Sequence, residues 1–364
     1  MKLTFRFTEG DIITRSVCSC CKNNKFRVLS TVSALSSDDK LTSYLETSIC
    51  TECTHIERTK ILSEEWMFNM FEYRDMEQVK QGFSPINDNV EKFRCERYKN
   101  IGLAIIAEFP GKRTEEIKLI DIGCGTGTGL KAWMDLGLNA MGIEPDISRA
   151  RFGLAQGIKI ETFTWQDFDF NEHSNNVYTS IQSLEHFYDA ESLISCIFNN
   201  MKNDSILYIE VPDAMNHIMD WQDSLYLGHV HNFSENSITF LLRRLGFNSI
   251  KRIYPYKDDK LNRNNICVLA RKEHNSWGLE INNWDKDSIC DYVRQKIRDS
   301  TKMLPVKVDM KKIVHYRINE INDLMLSFKS SPTIKPTVKD NQQARTIIPI
   351  GQNYFEIGSS DQSI

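Results

Sequence analysis

Hydrophobic and polar positions divide the chain into segments of different character. In residues 84–272, short apolar runs of strand length alternate with apolar residues at helical spacing, which is typical of an α/β domain. Residues 1–56 contain short β-like runs in polar sequence. Residues 57–83 are charged and aromatic, which predicts a helical linker that could pack over the later domain's cleft. Two amphipathic patterns in residues 273–330 predict a helical appendage.

The pattern predicts a helix from Ser84 to Phe109 and then seven strands. A long polar and aromatic segment follows the fifth strand, and loops of that length are usually functional. Polar, proline-containing sequence in residues 331–364 predicts a poorly ordered tail. The predicted strands are Leu119–Ile122, Ala140–Ile143, Ile158–Phe163, Val177–Gln182, Ser205–Val211, Phe247–Tyr254 and Asn265–Ala270. Helices are predicted at Ile147–Gln156 and Ser234–Leu245.

A glycine-rich turn follows the first strand, and the second strand ends on the acid Glu144. Strand, glycine turn, helix and acid-ended strand form half of a nucleotide-binding βαβ unit. Glu144 lies about 20 residues past the turn, where a carboxylate can accept both hydroxyls of a ribose. Asp121, directly before the turn, would repel a pyrophosphate but suits a cationic amino-acid ligand. The alternative is a glycine-bearing turn in an unrelated α/β sheet.

The sequence DIGCGTGTG followed by GIEPD resembles motif I and the acidic second-strand end of class I S-adenosylmethionine (SAM) methyltransferases. The resemblance implies a Rossmann-like seven-stranded sheet and SAM as cofactor. It also implies that residues after the third strand contact the adenine and that the SLEH stretch after the fourth lies beside the methionine portion. A capping role is the alternative for Asp167. The cofactor residues predicted in this way are Asp121, Gly123, Gly125, Gly127, Glu144, Trp165, Gln166, Asp167, Ser183 and Leu184.

The sequence GHVHNFSENSITFLLRRLGF resembles a segment of methyltransferases that act on nucleotide-linked or polysaccharide sugars and related small polar metabolites. A hydroxyl acceptor gains from a nearby base, and histidine suits this role because its pKa lies near neutrality. His229 is the first candidate for the base and His231 the second, with Glu185 able to orient an imidazole or a hydroxyl. The alternative is a loop histidine that only hydrogen-bonds the backbone. Nothing after residue 272 shows the glycine turn of the further domain found in sugar C-methyltransferases.

Half of the ten cysteines lie in the first 53 residues, and four of them form two C-x-x-C pairs. Two such pairs can place four thiolates tetrahedrally around Zn²⁺, as in a structural zinc ribbon. Some sugar methyltransferases of the kind that the chain resembles also carry such a four-cysteine module. Buried or redox-active thiols are the alternative, and Cys20 or His55 could replace one ligand. The predicted zinc ligands are Cys18, Cys21, Cys50 and Cys53.

The formal net charge of −4 argues against a nucleic-acid partner, because such proteins usually have a strong basic excess. No apolar run approaches membrane-spanning length and no signal-peptide core is evident, so we expect a cytoplasmic protein with reduced cysteines. The expected activity is methyl transfer to a small-molecule substrate, most plausibly a sugar hydroxyl in carbohydrate biosynthesis. The alternatives are an RNA or protein methyltransferase that docks through its zinc ribbon, and a non-catalytic zinc-bearing scaffold. The helical appendage could support a homodimer.

Overall fold

Two β-sheets organise the part of the chain that the structure describes, which is a computed structural model. The described residues are 7–35, 41–68, 88–170, 176–215, 228–272, 292–293, 346–350 and 353–358. The strands are β1 Ile12–Thr14, β2 Phe26–Leu35, β3 Leu41–Cys50, β4 Ile56–Leu62, β5 Lys118–Ile122, β6 Asn139–Ile143, β7 Ile160–Glu161, β8 Val177–Ile181, β9 Ile206–Pro212, β10 His231–Asn232, β11 Ser249–Arg252, β12 Asn265–Arg271, β13 Thr346–Ile350 and β14 Asn353–Gly358. The helices are α1 Asp88–Ile106, α2 Thr128–Met134, α3 Ile147–Leu154, α4 Ala190–Asn200, α5 Glu235–Arg244 and α6 Asp259–Asn264.

The second sheet is the seven-stranded α/β sheet that the sequence predicts. Its order is β11-β12-β9-β8-β5-β6-β7, with β12 antiparallel to both of its neighbours and the other pairs parallel. The order reverses beside β5, since β6 lies on one side of it and β8 on the other. Ligands of open α/β sheets bind at such a switch point, outside the carboxyl ends of the strands.

The apolar residues of the central strands alternate between two cores. Ile120 and Ile122 of β5 belong to one buried cluster, whereas Leu119 packs in the other. Both faces are therefore covered, which explains why these strands have nearly continuous apolar sequence. The third predicted strand is shorter than expected, only Ile160–Glu161, because β7 pairs with only two residues of β6.

The N-terminal sheet differs from the prediction. Residues 57–83 were expected to form a helical linker, but β4 occupies Ile56–Leu62 and residues 64–68 are helical, while 69–87 lie outside the described part. β4 is a strand because neighbouring strands pair with its backbone on both edges. β3 pairs along one edge, and β1 and β10 pair with opposite ends of the other edge. Even Glu57 and Arg58 are fully buried there.

Two strands lie within the predicted poorly ordered tail. β13 and β14 form an antiparallel hairpin, and β14 pairs with β2, so the order of the N-terminal sheet is β1-β4-β3-β2-β14-β13. The β-branched and aromatic residues of the segments TIIPI and NYFEIG favour strands, and β2 offers an edge to pair with. The structure therefore has two strands in a segment for which the sequence predicted poor order.

The predicted helical appendage, residues 273–330, lies outside the described part of the chain apart from 292–293, which are helical. Among the helices that the structure describes, none has the length and apolar character needed to cross a membrane.

The two sheets are connected directly. β10 follows the α/β strands in sequence but pairs with β4, and the Arg58 N–H donates to the Val230 carbonyl oxygen at 3.0 Å. On α5, Arg244 donates to the carbonyl oxygens of Ser19 and Cys20 at 2.9 and 2.6 Å. The N-terminal sheet is therefore bound to the side of the α/β domain next to the switch point.

Candidate active site

The glycine turn between β5 and α2 adopts backbone angles that favour glycine. The φ angles of Gly123, Gly125 and Gly127 are +82°, +56° and +78°. A Cβ atom at Gly123 would lie 2.8 Å from the Cβ of Ser183, so a side chain there would clash. A Cβ at Gly125 would meet nothing within 4 Å. The turn is therefore tight on one side and open toward the cavity on the other.

Glu144, at the end of β6, holds this turn. The Gly125 N–H donates to its Oε2 at 2.8 Å, and the Asp146 N–H donates to its Oε1 at 3.0 Å. Each carboxylate oxygen can accept more than one hydrogen bond, so the same group can also accept from a ribose hydroxyl.

A cavity of about 460 Å³ opens at the carboxyl ends of the α/β strands. This volume falls in the range of small-molecule sites, roughly 300–1,000 Å³. Six of the ten predicted cofactor residues line it: Gly123, Gly125, Glu144, Trp165, Gln166 and Ser183.

The other four predicted cofactor residues are not on the cavity wall. Gly127 precedes α2 as its N-cap, and Leu184 is fully buried in the core. Asp167 accepts a hydrogen bond from the Thr164 hydroxyl at 2.8 Å, and the short 3₁₀ turn that it ends has no side-chain cap. Asp121 lies behind the turn, where the Thr179 hydroxyl donates to it at 2.6 Å.

The buried position of Asp121 gives a prediction about stability. Burial raises the pKa of Asp121 from 3.8 to about 7; the Thr179 hydrogen bond opposes this shift and the charge of Glu144 adds to it. The folded state disfavours the carboxylate form of Asp121. Asp121 therefore lowers the free energy of unfolding least below its unfolded pKa, and lowers it more as the pH rises toward 7. Between pH 5.5 and 7, the free energy of unfolding of Asp121→Asn should therefore rise relative to that of the wild type by about 1.4 kcal/mol per pH unit.

Urea unfolding of cofactor-free protein at pH 5.5, 6.5 and 7.5 measures this difference. Asp204→Asn, at an exposed carboxylate, is the control. Its free energy of unfolding should differ from that of the wild type by the same amount at all three pH values. A pH-independent difference for Asp121→Asn would contradict the raised pKa.

Beside the cavity, three titratable side chains lie together. Ligand atoms of Glu185, His186 and His229 are all within 4.8 Å of one another, and the His186 and His229 ring centroids are 4.8 Å apart. His186 itself lines the cavity. Burial raises the pKa of Glu185 to about 8. The sequence predicted Glu185 and His229 as catalytic candidates, and it placed His186 with Glu185 in the SLEH stretch that should face the cofactor.

His231, the second candidate for the base, is not on the cavity wall. It is 1% exposed, and its Nδ1 lies 3.1 Å from the Nε2 of His55. Burial lowers the pKa of His231 well below its usual value. The pairing of β10 with β4 causes this placement, because it turns His231 toward the N-terminal sheet. The structure therefore places His231 between the two sheets and away from the cavity wall.

The N-terminal part of the chain contributes one wall of the cavity. Glu64, Met67 and Phe68, just after β4, line it together with Phe187 and Tyr188. Arg15 donates to the Tyr188 carbonyl oxygen at 2.6 Å and stacks on the Tyr188 ring at 4.5 Å. The sequence suggested that this region could cover the cleft, but it did not identify these residues.

The four cysteines predicted to bind zinc form one cluster, which includes neither Cys20 nor His55. The Sγ atoms of Cys18 and Cys53 are 3.6 Å apart, and those of Cys21 and Cys50 are 3.4 Å apart. A zinc ion with four thiolates at about 2.3 Å requires sulfurs roughly 3.8 Å apart, so the donor set fits a tetrahedral ion after a small expansion.

The two cysteine pairs have the same backbone turn. The Lys22 N–H donates to the Cys18 carbonyl oxygen at 2.9 Å, and the Thr54 N–H donates to the Cys50 carbonyl oxygen at 3.0 Å. Lys22 and Thr54 also share a positive φ, 63° and 62°. Two equivalent turns thus point their thiols at one centre.

Comparison with known proteins assigns the α/β domain. Residues 92–251 match a family described as "Methyltransferase domain". Together with the glycine turn and the acid at the end of β6, this match defines the class: the protein is a SAM-dependent methyltransferase. The match runs from α1 to β11, and it leaves β12 and most of the N-terminal sheet unassigned. No curated protein matches the chain.

Several solved structures resemble the chain at low sequence identity. A SAM-dependent methyltransferase from Archaeoglobus fulgidus is 20% identical over 50% of this chain and 97% of its own, with a TM-score of 0.39. A 1,6-didemethyltoxoflavin-N1-methyltransferase from Burkholderia thailandensis is 13% identical over 61% and 97%, with a TM-score of 0.43. A chain in a Haloferax volcanii complex of the Trm112 methyltransferase activator and a methyltransferase is 15% identical over 51% and 95%, with a TM-score of 0.42.

Proposed function

We propose that the protein transfers a methyl group from SAM to a hydroxyl of a small polar acceptor, most plausibly a nucleotide-linked or polysaccharide sugar. The observation that carries the proposal is the cavity itself, which joins the cofactor turn and Glu144 to a wall bearing His186. His186 contacts His229, the histidine in the segment that resembles sugar methyltransferases. The acidic net charge supports a small acceptor over a nucleic acid.

The cavity residues fit the parts of SAM. Gly125 leaves open space where the ligand must approach the backbone, and Glu144 has acceptor capacity for a ribose. Trp165 and Gln166 offer an apolar ring and an amide for the adenine. When bound, SAM supplies a methyl group on a positively charged sulfur, which a nucleophile displaces in line.

The residues of the chain contribute mainly by positioning, because holding two reactants in line removes much of the entropic barrier. The hydroxyl acceptor must also lose its proton, and we assign His229 as the base and Glu185 as the group that orients an imidazole or the hydroxyl. Their proximity to the cavity-lining His186 supports this assignment. General bases typically contribute about 10²–10⁴ in rate.

We also propose that the cluster of Cys18, Cys21, Cys50 and Cys53 binds one structural zinc ion. The sulfur–sulfur distances and the paired turns support it. Four thiolates would leave no open coordination position, so the ion would stabilise the N-terminal sheet and take no part in methyl transfer.

Glu144→Ala tests the cofactor site. The variant loses charge-assisted hydrogen bonds to the ribose, so SAM binding should weaken by roughly 1–3 kcal/mol, measured by isothermal titration. Glu144→Gln retains one oxygen acceptor and should lose less. Glu161→Gln, at the end of the neighbouring strand β7, is the matched control. Unchanged SAM affinity in the alanine variant would remove Glu144 from the site.

The acceptor is tested with SAM labelled on its methyl group. Protein is incubated with a panel of nucleotide sugars and with cell extract, and the labelled product is separated by size. Label in a small, base-stable product is the expected result. Label in RNA or protein would overturn the proposed acceptor class while retaining the enzyme class.

A further inference from the structure

Glu185, His186 and His229 carry the donor atoms of a cation site. Their ligand atoms are mutually within 4.8 Å. Two imidazoles and one carboxylate bind first-row divalent cations and leave coordination positions open for a substrate. The cluster adjoins the proposed acceptor side of the cavity through His186.

The hydrogen bond of His186 to the backbone fixes the tautomer of its ring. Its Nδ1 lies 2.9 Å from the Gly228 carbonyl oxygen, which can only accept, so Nδ1 carries the proton. In the neutral ring Nε2 then presents a lone pair. A backbone carbonyl on the other ring nitrogen is the usual support of a metal-bound histidine.

Glu185 faces that lone pair without bonding to it. Its Oε1 is 3.9 Å from the His186 Nε2, too far for a hydrogen bond. Glu185 is only 3% exposed, and its Oε2 has no hydrogen-bond partner among the residues that the structure describes. Ionising a carboxyl group in this position is costly unless a bound cation compensates its charge. Two ligands of one cation at about 2.1 Å are typically 3–4 Å apart, which the 3.9 Å separation satisfies.

We propose that Glu185, His186 and His229 bind a divalent cation such as Mn²⁺, and that this cation binds the acceptor through two neighbouring hydroxyls. The proposal rests on the proposed function for the identity of the reaction. Three protein ligands on a six-coordinate ion leave three positions, of which a vicinal diol fills two and water the third. The acceptor class is thereby narrowed to sugars with adjacent free hydroxyls.

The reaction balances without any further reactant. The cation lowers the pKa of the bound hydroxyl, and its proton leaves to solvent water. The oxygen lone pair forms the new bond to the methyl carbon while the carbon–sulfur bond breaks. The electron pair of the carbon–sulfur bond goes to sulfur, which leaves as the neutral thioether of S-adenosylhomocysteine. His229 is a cation ligand in this scheme, and a free base in the absence of a cation.

Direct cation binding tests the site without relying on activity. Mn²⁺ is titrated into the purified full chain and free Mn²⁺ is followed by electron paramagnetic resonance, with zinc content measured in parallel. We expect one Mn²⁺ site in addition to the zinc. Glu185→Gln and, separately, His186→Ala should weaken Mn²⁺ binding by at least about tenfold. Glu115→Gln, at an exposed acid, is the matched control and should bind normally.

Thermal melts establish that each variant is folded before its binding is compared. Absence of a Mn²⁺ site in the wild type, or equal binding by both cluster variants, overturns the cation proposal. Equal binding by the variants would also locate the ion elsewhere.

Turnover separates this proposal from the proposed function. The KM of a vicinal-diol acceptor should fall on addition of Mn²⁺, whereas the analogue lacking the neighbouring hydroxyl should show no such change. Suppose that the rate of methyl transfer does not change with Mn²⁺ or with the second hydroxyl, yet is lost in His229→Ala. This result overturns the cation proposal and retains the proposal of a histidine base. Mn²⁺ binding with no methyl transfer to any small acceptor supports the site and overturns the proposed function.

Discussion

The double variant Cys50→Ser/Cys53→Ser is expected to lose one zinc ion per chain and to melt roughly 10 °C or more below the wild type. Structural zinc sites contribute on the order of 10 kcal/mol in isolated zinc modules, and a few kcal/mol already shift the melting temperature of a domain by this amount. Metal analysis by mass spectrometry and a thermal melt provide the two measurements. The effect is expected to be large because Cys50 ends β3 and Cys53 lies just before β4, so loss of the ion loosens the connection between these two strands.

Cys95→Ser is the control, since Cys95 lies on α1 outside the cluster and should leave both zinc and stability unchanged. Catalysis should decline with stability, because Glu64, Met67 and Phe68 directly follow β4 and line the cavity. A native preparation without zinc, or a double variant that retains it, would reject the four-cysteine site.

His229→Ala is expected to lower turnover by about 10²–10⁴ while the dissociation constant of SAM stays the same. The side chain lies with Glu185 and His186, and it is not itself among the residues that line the cavity. A loss confined to turnover is therefore expected whether the histidine accepts the proton or binds a cation. Initial rates with labelled SAM and a separate binding titration measure the two quantities.

His231→Gln is the matched control. His231 faces His55 between the two sheets, so its loss should reduce stability more than turnover per folded molecule. Near-normal turnover in His229→Ala would show that His229 is neither the base nor a required cation ligand.

Much of the fold could be predicted because its signals are local. The strand β5, the positive-φ glycines and Glu144 form one continuous stretch, and their spacing alone determines where the turn and the acid meet. The two cysteine pairs are similarly local, and each makes its own turn.

The remaining differences depend on contacts between distant segments. β4 is charged enough to suggest a helical linker, and only its pairing with β1, β3 and β10 explains a buried Arg58. His231 and Asp167 suited the cavity by sequence, but a partner strand and a nearby threonine hydroxyl engage them instead. Conversely, only the fold shows that His186, expected near the cofactor, also lies beside His229.

The pairing of β10 with β4 has a consequence for how this enzyme can be divided. The short stretch just after His229 is hydrogen-bonded into the amino-terminal sheet rather than into the sheet that holds the glycine turn. A fragment trimmed to the α/β domain would leave that stretch without its partner strand and expose Phe233, which is now buried. Chimeras that exchange the amino-terminal segment between related enzymes would also exchange Glu64, Met67 and Phe68, which line the cavity.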